Sequence, residues 1–229
     1  MSARDRLALA LDVGDLEAAL ALAERVAPWF GVAKVGMELY AEAGPAAFEA
    51  LRDKGFRVFA DLKLHDIPTT VGRAARALGR RRIDFLNFHA AGGEAMLRAG
   101  VEGLVEGARD VGVAPSVALA VTVLTSDPDA SALDARLELA RISGCEGVVC
   151  AGSDVPRARA RGLATMVPGI RPAGVTADDQ ARVDTPGSAI ARGADWLVIG
   201  RAVSAAPDPE VAAAVIADEV DAALRGPVA

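Results

Sequence analysis

The sequence predicts a closed α/β barrel, the (β/α)8 or TIM barrel, as a single domain over residues 1–229. Three observations carry this expectation. Eight short apolar runs rich in Val, Ile, Leu and Phe alternate with eight longer, Ala-rich amphipathic stretches. That is the pattern of parallel strands joined by helical crossovers. The runs are apolar nearly throughout, as strands covered by helices are. The length, 229 residues, suits one barrel of this kind. An open, doubly wound sheet is the alternative. It would usually carry a glycine-rich turn after the first strand, whereas this chain has Asp12-Val13-Gly14-Asp15, with no dinucleotide fingerprint.

Taken in order, strands are expected at 7–11, 32–35, 57–62, 84–88, 116–123, 147–150, 165–167 and 196–199. Helices are expected at 15–28, 42–53, 68–79, 93–109, 131–143, 154–161, 185–192 and 208–224. Asp15, Ser131, Ser153 and Asp208 stand where a capping or first-turn residue is wanted. Gly31, Gly55, Gly144, Gly162 and Gly193 fall just before the next strand, where helices commonly end. The longest connection, residues 169–180, follows the seventh strand, and a loop of that length in a compact domain is often a functional lid.

Composition narrows the function. The net charge is −6, aromatic residues make up 4%, and the only basic run is Arg80-Arg81-Arg82, read as a solvated helix end. A nucleic-acid surface would want a basic stripe with stacking rings, so no nucleic-acid partner is expected. No apolar run is long enough to span a bilayer, and Met1-Ser2-Ala3-Arg4-Asp5-Arg6 lacks the layout of a signal peptide. The chain is therefore read as cytoplasmic and unattached to membranes. Cys145 and Cys150 lack the spacing of a zinc site and are expected to be buried free thiols. The chain has 22 arginines but only three lysines, Lys34, Lys54 and Lys63, so a lysine kept among apolar neighbours needs a reason.

Barrel active sites lie at the C-terminal ends of the strands, and polar residues fall there repeatedly. Asp12 ends the first run and Lys34 lies late in the second. Asp61 and Lys63 end the third, followed by Asp66; Asn87 and His89 end the fourth, and Thr122 and Thr125 the fifth. Arg171 follows the seventh, and Gly200-Arg201 the eighth. Residues two apart on a strand share a face, so Asp61 and Lys63 point the same way. With Asp12 and Lys34 they gather alternating charges. An ion-pair network tying strand ends together is one reading. Against it, a stapling cation could be arginine, which this chain uses almost everywhere else, whereas lysine is a compact, tunable point charge that can give up a proton. Two lysines in the cluster also argue against a divalent metal there.

Gly200-Arg201, with Arg171 and Gln180 in the long loop, suits a phosphate grip, since such barrels often bind phosphate after strands seven and eight. A rim salt bridge for Arg201 and a solvated loop position for Gln180 are the plainer alternatives. His65 reads as a packing or hydrogen-bonding residue, and His89 as a supporting hydrogen bonder.

Together these residues resemble a known family. The order Asp12, Lys34-Val35-Gly36, Asp61-Leu62-Lys63-Leu64-His65-Asp66-Ile67-Pro68, Pro168-Gly169-Ile170-Arg171-Pro172 with Gln180, and Ile199-Gly200-Arg201 is similar to that of the orotidine 5′-monophosphate decarboxylases, over about residues 5 to 215. The Asp-x-Lys-x-x-Asp motif alone is shared with related sugar-phosphate barrels; Lys34 and the Gly-Ile-Arg-Pro segment make the resemblance specific. It implies decarboxylation of orotidine 5′-monophosphate to uridine 5′-monophosphate, the last step of de novo pyrimidine nucleotide synthesis, with no cofactor and no metal.

The resemblance also implies roles. Lys63 would donate the proton to carbon 6 as carbon dioxide leaves, Asp61 would lie against the substrate carboxylate, and Lys34 and Asp66 would complete the charge network. Asp12 and Lys34 would hold ribose hydroxyls, and Thr125 the base. Arg171, Gln180 and Arg201, with the backbone of Gly200, would hold the phosphate. Asp66, Ile67 and Thr70 would reach a neighbouring subunit's site, which implies a homodimer with shared active sites. Two positions depart from the family pattern: Thr69 stands where Asn is usual and Ala202 where Pro is usual, and neither change removes a charged site residue. The nearest rival is a magnesium-dependent sugar-phosphate barrel of the same superfamily, which would carry an acidic residue where Lys34 stands. A non-catalytic nucleotide-binding barrel is the rival from another class.

Overall fold

Strands form where the apolar runs lie and close on themselves. The computed structural model describes residues 1–124, 129–172 and 184–226. The eight strands are β1 (Leu7–Ala10), β2 (Val32–Val35), β3 (Arg57–Leu64), β4 (Phe85–His89), β5 (Val117–Val121), β6 (Gly147–Val149), β7 (Ala164–Val167) and β8 (Trp196–Ile199). Each pairs in parallel with its sequence neighbours, and β1 pairs with β8 to close the barrel. The expected (β/α)8 architecture is the one observed.

The helices outside the barrel are α1 (Ala3–Arg6), α2 (Leu16–Val26), α3 (Met37–Ala43), α4 (Ala46–Asp53), α5 (Pro68–Gly79), α6 (Gly93–Asp110), α7 (Leu133–Ile142), α8 (Val155–Arg159), α9 (Pro186–Ala191), α10 (Arg201–Ser204) and α11 (Pro209–Arg225). Asp15 and Asp208 cap as expected: Asp15 accepts from the Ala18 N–H, and Asp208 from the N–H groups of Glu210 and Val211. The other two expected caps are corrected. α7 starts after Ala132 rather than Ser131, and Ser153 sits inside a 3-10 turn that precedes α8.

The expected helix at 42–53 is two helices. Gly44, at φ 58°, ends α3, and Pro45, which fits only an early helical position, precedes α4. The short helices α1 and α10 were also not expected, because four residues carry no periodic signal. α1 closes the lower end of the barrel, where the Gly31 N–H donates to the Arg4 carbonyl at 2.8 Å. α5 and α6 meet almost backbone to backbone: a Cβ on Gly103 would lie 2.1 Å from the Gly72 carbonyl oxygen.

Alternate strand residues fill the barrel. Ala8, Val32, Phe59, Phe85, Leu119, Met166, Trp196 and Val198 are among an interior cluster. A second, larger cluster lies between the strands and the helices. The interior is plugged low by rings, with Phe59 edge-on to Phe85 at 6.1 Å and Phe85 edge-on to Trp196 at 5.0 Å. The Arg57 guanidinium lies over the Phe85 ring at 5.4 Å. That plug leaves the upper end of the barrel for polar chemistry. Among the described residues no helix is long and apolar enough to cross a membrane.

Candidate active site

The ends of β1, β2 and β3 bring four charges into contact. Lys34 on β2 is paired in register with Ala10 and Phe59, so its side chain rises from the strand interior and is only 6% exposed. A buried ammonium needs partners. It has two: Asp12 Oδ1 at 2.9 Å and Asp61 Oδ2 at 3.3 Å. The other oxygen of Asp61 lies 2.6 Å from Lys63 Nζ. The order is Asp12, Lys34, Asp61, Lys63, with alternating sign.

Asp61 and Lys63 do share a face, but regular strand alternation is not the reason. β3 runs past the expected residue 62 and loses register with β4: Ala60 pairs with Leu86 and Leu64 with Phe88, so β3 advances four residues while β4 advances two. The surplus residues bulge, and bulges re-aim side chains beside active sites. Lys63 takes φ +50°, a left-handed conformation that costs a non-glycine residue about 1–2 kcal/mol. The strain is held in place by Asn87 on β4, whose Oδ1 accepts from the Lys63 N–H at 2.7 Å and whose Nδ2 donates to Asp61 Oδ1 at 2.6 Å.

Burial alone would raise the Asp61 carboxyl. The charges of Lys34 and Lys63, with hydrogen bonds from Lys63 and Asn87, outweigh it and hold the group below its ordinary value of 3.8. Asp61 is a carboxylate at neutral pH.

These charges sit in a cavity of about 410 Å³ at the upper end of the barrel. Its apolar wall includes Phe59, Val121, Val149 and Val198, and its polar wall is Asp12, Lys34, Asp61, Lys63, Arg171 and Arg201, with Gly200 at the end of β8. Arg171 is buried and its N–H donates to the Asp184 carbonyl at 3.0 Å; Arg201 opens α10 on the same rim. Six residues expected at the site, plus Gly200, therefore converge from five strand ends. Asp66, Ile67 and Thr70 do not join them: all three are exposed, and Asp66 Oδ1 accepts from the Ile67 N–H. Thr125, Gln180 and most of the expected lid at 169–180 lie outside the described residues.

Asn87 is the residue whose part sequence reading missed. It was legible as a polar residue at a strand end, but its partners depend on the register shift. Nearby, the His65 and His89 rings stack at 5.3 Å. His89 Nδ1 accepts from the Ala91 N–H, as a supporting hydrogen bonder would. Burial lowers the His89 pKa below 6.5, helped by the charges of His65, Arg136 and Lys63. Both cysteines are buried and outside any disulfide, as expected, and burial with nearby Glu146 pushes the Cys145 pKa up to about 12, which leaves it unreactive.

Known proteins resemble this chain in sequence and in fold. The sequence model described as "Orotidine 5'-phosphate decarboxylase / HUMPS family" matches residues 5–216. A relative from Moorella thermoacetica named orotidine 5'-phosphate decarboxylase is 46% identical over 237 residues, covering 96% of this chain and 94% of its own. One of the same name from Anaeromyxobacter dehalogenans is 46% identical over 233 residues, covering 95% and 99%. The crystal structure of orotidine 5'-phosphate decarboxylase from Lactobacillus acidophilus superposes with a TM-score of 0.81 at 32% identity, covering 95% of this chain and all of that one.

Proposed function

The chain belongs to the orotidine 5′-phosphate decarboxylase / HUMPS family, and from that premise we propose how its residues divide the work of converting orotidine 5′-monophosphate to uridine 5′-monophosphate and carbon dioxide. The chain is a carboxy-lyase of pyrimidine nucleotide synthesis. The observation that carries the assignment of roles is the Lys34–Asp61–Lys63 cluster in an apolar-walled cavity. A magnesium-dependent sugar-phosphate barrel would need an acid where Lys34 stands.

The chemistry is one bond broken and one formed. The bond from carbon 6 to the carboxylate breaks, its electron pair stays on carbon 6, and carbon dioxide leaves. Lys63 Nζ gives a proton to carbon 6, and solvent reprotonates the amine. A preorganised ammonium stabilises the developing charge before it quenches it. Asp61 faces the substrate carboxylate as a like charge, an interaction that is relieved when that charge departs as neutral carbon dioxide. Lys34, fixed between Asp12 and Asp61, keeps Asp61 ionised, while Asp12 and Lys34 present groups to the ribose.

Arg171, Arg201, Gln180 and the Gly200 backbone take the phosphate, and Thr125 the base. Phosphate binding far from carbon 6 supplies energy that can be spent on orienting the reacting ring. Asp66, Ile67 and Thr70, exposed on this chain, serve the site of a second copy, so the working unit is a homodimer. A cytoplasmic location belongs to the same reading, since the substrate is a phosphorylated metabolite.

The test is the ultraviolet absorbance change of orotidine 5′-monophosphate with purified protein in excess chelator. Conversion is expected without added metal. Activity that appears only on restoring magnesium would overturn the metal-free assignment.

A further inference from the structure

Asn87 sits on the inward face of β4 between Phe85 and His89 and is fully buried. Its amide bonds both to the backbone of Lys63 and to the carboxylate of Asp61. The orientation of that amide is dictated by its neighbours: the Lys63 N–H can only donate and the ionised Asp61 can only accept, so carbonyl must face the first and NH₂ the second. The register shift between Ala60 and Leu64 leaves the Lys63 N–H without its place in the strand ladder, and Asn87 supplies the missing acceptor. Lys63 Nζ and Asn87 Nδ2 meet on the same oxygen of Asp61, each at 2.6 Å.

We propose that Asn87 is a positioning residue of the decarboxylation, whose amide clamps the left-handed backbone of Lys63 and the Asp61 carboxylate into one rigid unit. The inference rests on the assignment of Lys63 as proton donor. Asn87 need not touch substrate. It fixes two things on which the reaction depends: the point from which the lysine stem starts, and the rotation of the carboxylate that faces the departing group. Misplacement of a reacting group by about 1 Å can cost on the order of 100-fold in rate. Removing the amide frees both positions at once, and the relaxed backbone at Lys63 would re-aim the ammonium.

The experiment uses the full-length protein with Asn87→Ala and Asn87→Asp, measuring kcat and KM for orotidine 5′-monophosphate, affinity for uridine 5′-monophosphate, thermal melting and the pH profile. Asn87→Ala is expected to lower kcat at least tenfold while uridine 5′-monophosphate affinity changes less than threefold. Asn87→Asp is nearly isosteric and keeps the test open should the alanine variant not fold. Its carboxyl, buried against Asp61, can replace the amide only when protonated. Its kcat should therefore fall as pH rises, along a limb that the wild-type profile lacks.

A kcat within threefold of wild type in Asn87→Ala, a parallel loss of kcat and product affinity, or an Asn87→Asp profile that superposes on wild type would each overturn the proposal. Inactive wild-type protein would instead refute the functional assignment beneath it.

Discussion

Two cavities of about 410 Å³, one at the upper end of the barrel and one lower down between the outer helices α4 and α5, differ in that only the first has the makings of an active site. The lower one is lined by Glu49, Arg52, Arg80, Arg81 and Arg82 at the ends of α4 and α5. Its cations are half-exposed and already occupied: Arg52 donates to the Arg81 carbonyl, Arg81 pairs with Glu49 at 3.0 Å, and Arg80 with Asp110 at 3.4 Å. Each is flexible, screened by water and of little energetic weight. The upper cavity takes its charges from separate strands, sets them against Phe59 and Val198, and buries Lys34. Volume and positive charge are thus common to both cavities. What differs is convergence from rigid strand ends and the burial of Lys34, which make a charge worth more.

The comparison can be broken most severely at Lys63. Lys63→Ala should lower kcat by at least roughly 10³-fold, toward the upper range for losing a proton donor. It should fold, because the side chain is 30% exposed. Near-normal turnover, with circular dichroism confirming the fold, would remove the central difference between the two cavities. Next is the sharing of sites. Asp66→Ala and Lys63→Ala proteins, each inactive, should recover roughly a quarter of wild-type activity when their subunits are mixed and exchanged, since half the dimers would be hybrid and each hybrid would hold one intact site. No recovery after verified exchange would mean self-contained sites.

A smaller effect is expected at the phosphate side. Arg201→Ala should raise KM by roughly 10- to 100-fold, the scale of one lost charge-assisted contact, with kcat less affected; an unchanged KM would take Arg201 out of the grip. Smaller still is a pH effect at the upper end. The folded His89 resists protonation, while the unfolded residue takes up a proton near its ordinary value of 6.5. Its contribution is therefore fully present above about pH 6.5 and declines as pH falls below that. Denaturant midpoints of wild type and His89→Gln should diverge least at neutral pH, with the wild type losing more stability on acidification; parallel curves would exclude it. The least effect belongs to the lower cavity. Arg81→Ala should leave kcat and KM unchanged and cost under about 1 kcal/mol, as melting would report.

Much of this was legible in the sequence because hydrophobic burial wrote it there. Strands β2 and β8 match the expected runs residue for residue, β8 being apolar throughout and β2 apolar but for Lys34. The charged residues stood out because they interrupt such runs, and Lys34 and Lys63 because lysine is scarce. What stayed hidden depends on relations between strands. The bulge at 61–63 follows from the pairing of β3 with β4, and a single Asn in the run 84–88 says nothing of what it will bind. Helix α3 was hidden for a more local reason: Met37–Ala43 is too short to show a period, and Gly44-Pro45 reads equally as a loop. Asp66, Ile67 and Thr70 were picked for the site, yet one chain alone does not bring them there.

The register shift also has an evolutionary consequence. Between Ala60 and Leu64 the third strand carries two residues more than its partner requires, so a barrel lacking two of residues 61–63 could still close in ordinary register. Scaffold and chemistry would then be separable by length, and a two-codon deletion at this point should silence the enzyme more cleanly than many substitutions in its core.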